Sequence, residues 1–187
     1  DKGYTEASLR TIAAAADTST NSIYVRFKDK EGLFSAIVEP VVNGMMEMFL
    51  KIQESFHQMD STAQAAEMTE YAAGGMERLV DYMYDHLDAF RLLLDSSYGT
   101  RFHNFVDEMV RIEVEYTYKY MEAVGYPEQM GAAATETVLH MVTTAYFEGI
   151  FEVVRHGMSR AEAKQYIDLL GRYHHTGFGA IFPDLPE

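Results

Sequence analysis

Leu9, Ile12, Ala13 and Ala16 recur at the i, i+3, i+4, i+7 spacing of a single helix face, and the stripe breaks at Asp17-Thr18-Ser19 before Ile23 and Phe27 begin another. Two short helices joined by three residues must cross at close range. Ala13 is the small side chain that permits the crossing, and Ile12, Ala16 and Ile23 supply the contact. Ser19 is placed to cap the second helix. The turn at Asp17 calls for a left-handed backbone, which Asp tolerates less well than Gly. Facing away from the crossing are Thr20, Asn21 and Ser22, short polar side chains able to approach base edges in a DNA major groove. Tyr24, Arg26 and Lys30 are expected to hold flanking phosphates, and Ser8, Arg10, Thr18 and Ser19 complete the set of candidate DNA contacts.

Behind this segment helical spacing continues, and period-2 alternation is nowhere sustained, so the fold class is all-α. Asp29 caps a long helix from Lys30 to about Phe56, with Leu33, Phe34, Ile37, Val38, Val41 and Val42 on its buried side. Pro40 lies inside it and is expected to kink it or cost a hydrogen bond. Asp60-Ser61 signals a helix over 62–87, with Gly74-Gly75 a weak point in its middle. A short helix near 88–94 and a loop at 96–100 follow, then a helix over 102–124 ended by Gly125. Pro127 suits the first turn of a helix running to about His156 and stopped by Gly157. Ser159 and Glu162 form an S-x-x-E capping box that opens a last helix toward Phe182. The division expected is a helix-turn-helix head over 1–34, incomplete at its N-terminus, and a helical body over 35–187. Asp1 is not an initiator residue, and a stretch ahead of it is expected.

The formal charge of −14 disfavours nucleic acid only until its distribution is read. In residues 1–34, Lys2, Arg10, Arg26, Lys28 and Lys30 balance Asp1, Glu6, Asp17, Asp29 and Glu31, so the excess lies wholly in the body. A neutral head on an acidic body is compatible with DNA binding by the head alone. Cysteine is absent, which excludes disulfides, thiolate metal sites and thiol nucleophiles and fits a cytoplasmic location. No run of about 18 uncharged apolar residues occurs, so no membrane span is read, and no signal peptide opens the chain.

The segment from Gly3 to Phe34 resembles the DNA-binding signature of the TetR/AcrR family of transcriptional regulators. The resemblance rests on Lys2-Gly3-Tyr4, on Leu9-Arg10-Thr11-Ile12-Ala13, and on Ser19 through Ile23-Tyr24, Phe27, Lys30-Glu31 and Leu33. Three residues depart from the pattern: Asp17 replaces the usual turn glycine, Asn21 a frequent glycine, and Arg26 a common histidine or tyrosine. The last two are expected to alter operator choice. The resemblance implies a homodimeric repressor on a palindromic, double-stranded DNA operator, and a small apolar or amphipathic effector that lowers operator affinity.

It also implies a ligand pocket between the long helix opened by Asp29 and the helices after it. Phe49, Met76, Met83, Phe90, Phe105, Met109 and Tyr146 are the candidate lining, although Met, Phe and Tyr serve an ordinary core equally well. The last two helices are implied to pair with their two-fold mates, through Ala133, Tyr166, Leu169, Leu170, Tyr173 and Phe178. Glu136 with His140, and Glu152 with His156, have i, i+4 spacing, yet two-residue coincidences of this kind are usual in acidic helices, and no metal site is assigned. His174 and His175 are adjacent and point to different helix faces, so they make no chelating pair. No catalytic constellation, phosphate loop or cofactor motif is present. Two rival readings stay open: a helical-bundle metalloenzyme using the Glu/His pairs, and a protein-interaction module with a vestigial helix-turn-helix.

Overall fold

The computed structural model describes residues 3–126 and 132–183, with side chains of the second stretch from Thr135 onward. Eight helices and no strand occur among these residues. Two are short, α1 (Leu9–Ala15) and α2 (Thr20–Phe27), and six make the body: α3 (Lys30–His57), α4 (Ser61–Asp85), α5 (Leu87–Ser96), α6 (Phe105–Ala123), α7 (Ala132–Arg155) and α8 (Arg160–Ile181).

The helix starts are set by local side-chain hydrogen bonds. Ser19 accepts from the backbone N–H of Ser22 at 3.0 Å, Asp29 from Gly32 at 2.8 Å, and Asp60 from Thr62 and Ala63. The capping box forms in both directions, with Glu162 accepting from the Ser159 N–H at 2.8 Å and Ser159 Oγ from the Glu162 N–H at 3.3 Å. Gly125 and Gly157 end α6 and α7 with φ of +69° and +64°, where a side chain would be strained.

The buried face of α3 is Phe34, Val38, Val41, Met45, Phe49 and Phe56. Ile37, expected on that face, is 45% exposed, because it lies a quarter-turn to one side of the stripe. Helix α3 runs through Pro40 unbroken. Ala36 and Pro40 are both exposed, so the carbonyl left without an N–H partner faces water. By length and composition alone α3 could cross a membrane. In the fold its buried face joins the main core, which also takes Met83 from α4, Phe90 and Leu93 from α5, Met109 and Val110 from α6, and Phe147 and Phe151 from α7.

Helices α7 and α8 run antiparallel: a Cβ on Gly149 would lie 3.0 Å from Leu170, and the Tyr146 ring stacks on His174 at 4.1 Å. Helix α8 also lies along α4, where Lys164 bridges Glu77 and Asp81 at 3.0 and 2.9 Å and Arg160 reaches Asp85 at 2.6 Å.

Candidate DNA interface and ligand cavity

Helices α1 and α2 cross at Ala13 and Ile23, both buried, and the turn between them is held by the Thr18 N–H donating to the Ala13 carbonyl at 2.9 Å. Asp17 takes the left-handed conformation expected of it, with φ of 49°. Ala16, expected in the contact, is exposed, because the chain has already left the helix at this C-capping residue.

Arg10, Thr18, Asn21, Tyr24 and Arg26 project outward, Tyr24 at 52% exposure, and Ser8 is exposed as the residue before α1. Thr20 is half-buried. Ser19 and Ser22 are exposed but share a hydroxyl hydrogen bond of 2.8 Å, so part of their polarity is used within the cap. Beside them Val25, 78% exposed, offers an apolar surface on α2, and Lys28 at its C-cap is exposed with φ of 71°. Neither residue was expected from spacing. An exposed valine on a recognition helix is the kind of group that meets a thymine methyl.

Lys30 is placed differently from expectation. Its ammonium donates to the carbonyl oxygens of Tyr4, Thr5 and Ala7 at 2.7, 3.2 and 3.2 Å, which occupies all three of its protons. It therefore ties the N-terminal segment to α3 and has no proton left for a phosphate. The same segment is tied to the body by the Tyr4 N–H, which donates to the Ser96 carbonyl at 3.1 Å. Tyr4, Phe34 and Phe102 continue that seam with ring centroids 5.3 and 6.1 Å apart, and Arg101 pairs with Glu39 at 2.6 Å.

Toward the other end of α3 lies a cavity of about 130 Å³, walled by α3, α4, α6, α7 and α8. Of the seven candidate lining residues, Phe49, Met76 and Tyr146 reach it. Met83, Phe90, Phe105 and Met109 do not. They are buried in the packed core nearer the head, where α5 fills the space beside α3 and α7. There Phe90, Phe105 and Phe151 interlock, with centroids 6.4 and 5.8 Å apart.

Other lining groups are Gln53, Phe56, His57, Met68, Tyr71, Glu113, Tyr116, Tyr120, His174, His175 and Phe178. Gln53 Nε2 donates to Glu113 Oε2 at 2.6 Å. Burial pushes the Glu113 carboxyl up to about 7, partly offset by that hydrogen bond. Burial, and then the neighbouring His175, pushes His174 down to about 4. The Tyr146 hydroxyl is raised by burial and by the Glu113 carboxylate. His174 and His175 both reach the cavity wall, with ring planes 84° apart. Glu113 had a signal in the sequence: Met109, Ile112, Glu113, Tyr116 and Tyr120 fall on one stripe of α6.

Among the expected dimer contacts, Leu169 and Tyr173 are 57% and 78% exposed and share one face of α8, with Met141 on α7 at 64%. Tyr166 and Leu170 are half-buried against the core, Leu170 because it packs over Gly149. Phe178 turns inward, stacking near His174 and Phe182. Ala133 falls in the first turn of α7, outside the described side chains. Among the described residues no three His, Asp or Glu converge as a metal would need, and Glu152 is engaged by Arg155 and His156 at 2.8 and 3.2 Å.

Such a head on an all-helical body defines a helix-turn-helix DNA-binding protein. Residues 1–37 match the family model described as bacterial regulatory proteins, tetR family, and this match supports a DNA-binding transcriptional regulator of that type. No curated protein and no solved structure matches it.

Proposed function

We propose that the chain is a cytoplasmic, homodimeric repressor that leaves its operator when a small molecule fills the cavity. The observation that carries this reading is the span of α3. Its first turns, Lys30 to Phe34, hold the N-terminal segment and the aromatic seam, and its last turns, Phe49 to His57, wall the cavity. A helix of 28 residues is about 42 Å long, so a small tilt at the cavity becomes a larger displacement at the head. A ligand that binds best when α3 is tilted draws the population toward heads whose separation no longer fits the operator. Leu169, Tyr173 and Met141 provide the apolar surface for a two-fold mate, which a palindromic site requires. Thr18, Asn21, Tyr24 and Arg26, with Ser8 and Arg10 beside them, make the DNA contacts in this reading, and no bond is made or broken.

Selection of binding sequences from a random DNA pool by the full chain tests it. Enrichment of a palindrome with half-sites about one helical turn apart is the expected result. A pool that stays random overturns the reading.

A further inference from the structure

The interior of the cavity specifies the charge of its occupant. We infer that the effector is an organic monocation with an apolar or aromatic body, its charge matched by Glu113 and its body held by the ring walls; this rests on the cavity being the effector site.

Glu113 lines the cavity with its carboxyl enclosed. Gln53 holds one carboxylate oxygen, and among the described residues no Lys, Arg or His stands within ion-pair distance of either. No Lys or Arg lines the inner cavity at all. Both ring nitrogens of His57 and one of His175 are committed to backbone carbonyls and not to an incoming anion. His57 has its two ring nitrogens against the carbonyls of Gln53 and Tyr116 at 2.9 and 3.1 Å, and His175 Nδ1 lies 2.8 Å from the Gly171 carbonyl. His174 is stacked on Tyr146 and kept neutral by burial. An anion entering here would meet a carboxylate and no Lys or Arg to offset it.

The walls favour the same sign. Phe49, Phe56, Tyr71, Tyr116, Tyr120 and Phe147 present rings, whose faces are electronegative and attract a desolvated cation. The approach agrees. The cavity adjoins a groove between α4 and α8 that shares Met68, Met76, Tyr146 and Phe178 with it and carries Glu70, Glu77 and Asp168. The groove's two cations are already paired, Lys164 with Glu77 and Asp81 and Arg172 with Asp168. A body holding the whole of the −14 formal charge draws cations toward that entrance. The volume, about 130 Å³, admits a single ring with a small charged head.

Benzyltrimethylammonium and its uncharged isostere neopentylbenzene separate charge from shape. With ¹³C-methyl-labelled isoleucine and leucine in the full chain, the Ile52 and Leu79 signals report occupancy of the cavity itself, since neither residue lines the groove. The expected result is that both methyl signals move with the cation and that it binds at least about tenfold more tightly than the isostere. E113Q, which keeps the side chain's shape and can still bond Gln53, is expected to remove about tenfold of the cation's affinity and leave the isostere's within about twofold. Equal affinities in the native chain, or no movement of the Ile52 and Leu79 signals, overturn the inference, and this comparison needs no variant to fold. Adding an operator fragment separates the two readings. Cation binding that leaves the operator bound supports the charge assignment and overturns effector release, while release by the neutral isostere alone does the reverse.

Discussion

Lys30 Nζ lies 2.7 Å from the carbonyl oxygen of Tyr4 and 4.4 Å from the centroid of the same residue's ring. One side chain on α3 thus fixes both the backbone and the aromatic group of a segment 26 residues upstream. Lys30→Met keeps the aliphatic stem and removes the charge. A hydrogen bond from a charged group contributes about 1.5–3 kcal/mol, so the head is expected to loosen by on the order of 2 kcal/mol. Operator affinity should fall with it, while the slope of log affinity against log salt stays unchanged. A lysine that touched phosphate would take about one unit of that slope with it, and such a drop would refute this placement.

Gly74 and Gly75 are neighbours with opposite demands. A Cβ at Gly74 meets nothing within 4 Å, whereas one at Gly75 would lie 2.9 Å from Ile52 Cγ2 on α3. Gly74→Ala is therefore expected to stabilise α4 by about 0.5–1 kcal/mol through helix propensity. Gly75→Ala must push α4 away from α3 at the cavity wall and is expected to destabilise by about 1–3 kcal/mol. Chemical denaturation of the two variants checks both signs, and a stabilising Gly75→Ala would show that α3 and α4 are less close than this.

Asp17 holds φ of 49° at the turn between α1 and α2. Glycine reaches that conformation freely, so Asp17→Gly is expected to stabilise the head by about 0.5–1 kcal/mol. The gain should appear as slower hydrogen exchange at the Thr18 amide, which is bonded across the turn. Faster exchange there would mean that Asp17 carries no strain.

Where the chain was legible, the interaction joins residues close in sequence. Ser19, Asp29, Asp60 and Ser159 cap helices through partners two or three positions away, so composition at a fixed offset is enough to find them. The crossing at Ala13 and Ile23 is nearly as local. The partners of Lys30 are backbone carbonyls 23 to 26 residues away, and no spacing rule reports them. The split between Phe49 or Met76, which line the cavity, and Met83 or Phe90, which fill the core, depends on where α5 inserts beside α3 and α7. That is a property of helix crossings, and four equivalent apolar side chains carry no mark of it. Glu113 was visible as a charge on an apolar stripe, but only its enclosure by five helices turns the charge into a specification.

Glu113 and His174 bind protons in opposite senses, and the pair makes a distinctive pH signature. The Glu113 carboxyl rises from 4.5 to about 7, so between those values the folded chain holds a proton that the unfolded chain has released. Stability from this group is complete below pH 4.5 and is lost as pH rises to 7. His174 falls from 6.5 to about 4, so over that interval the unfolded chain binds the extra proton and stability grows with pH. Each effect is on the order of 3 kcal/mol, and from about pH 4.5 to 6.5 they cancel. The other titratable side chains in the same wall, His57, His175, Tyr71, Tyr116, Tyr120 and Tyr146, remain in every variant compared. E113Q is expected to expose the rising His174 limb, and His174→Phe the falling Glu113 limb. The difference between native chain and E113Q should widen from pH 4.5 and level off above 7. Denaturant titrations at half-unit pH steps measure that difference directly, and a difference independent of pH would mean that the Glu113 carboxyl is solvated like any surface glutamate.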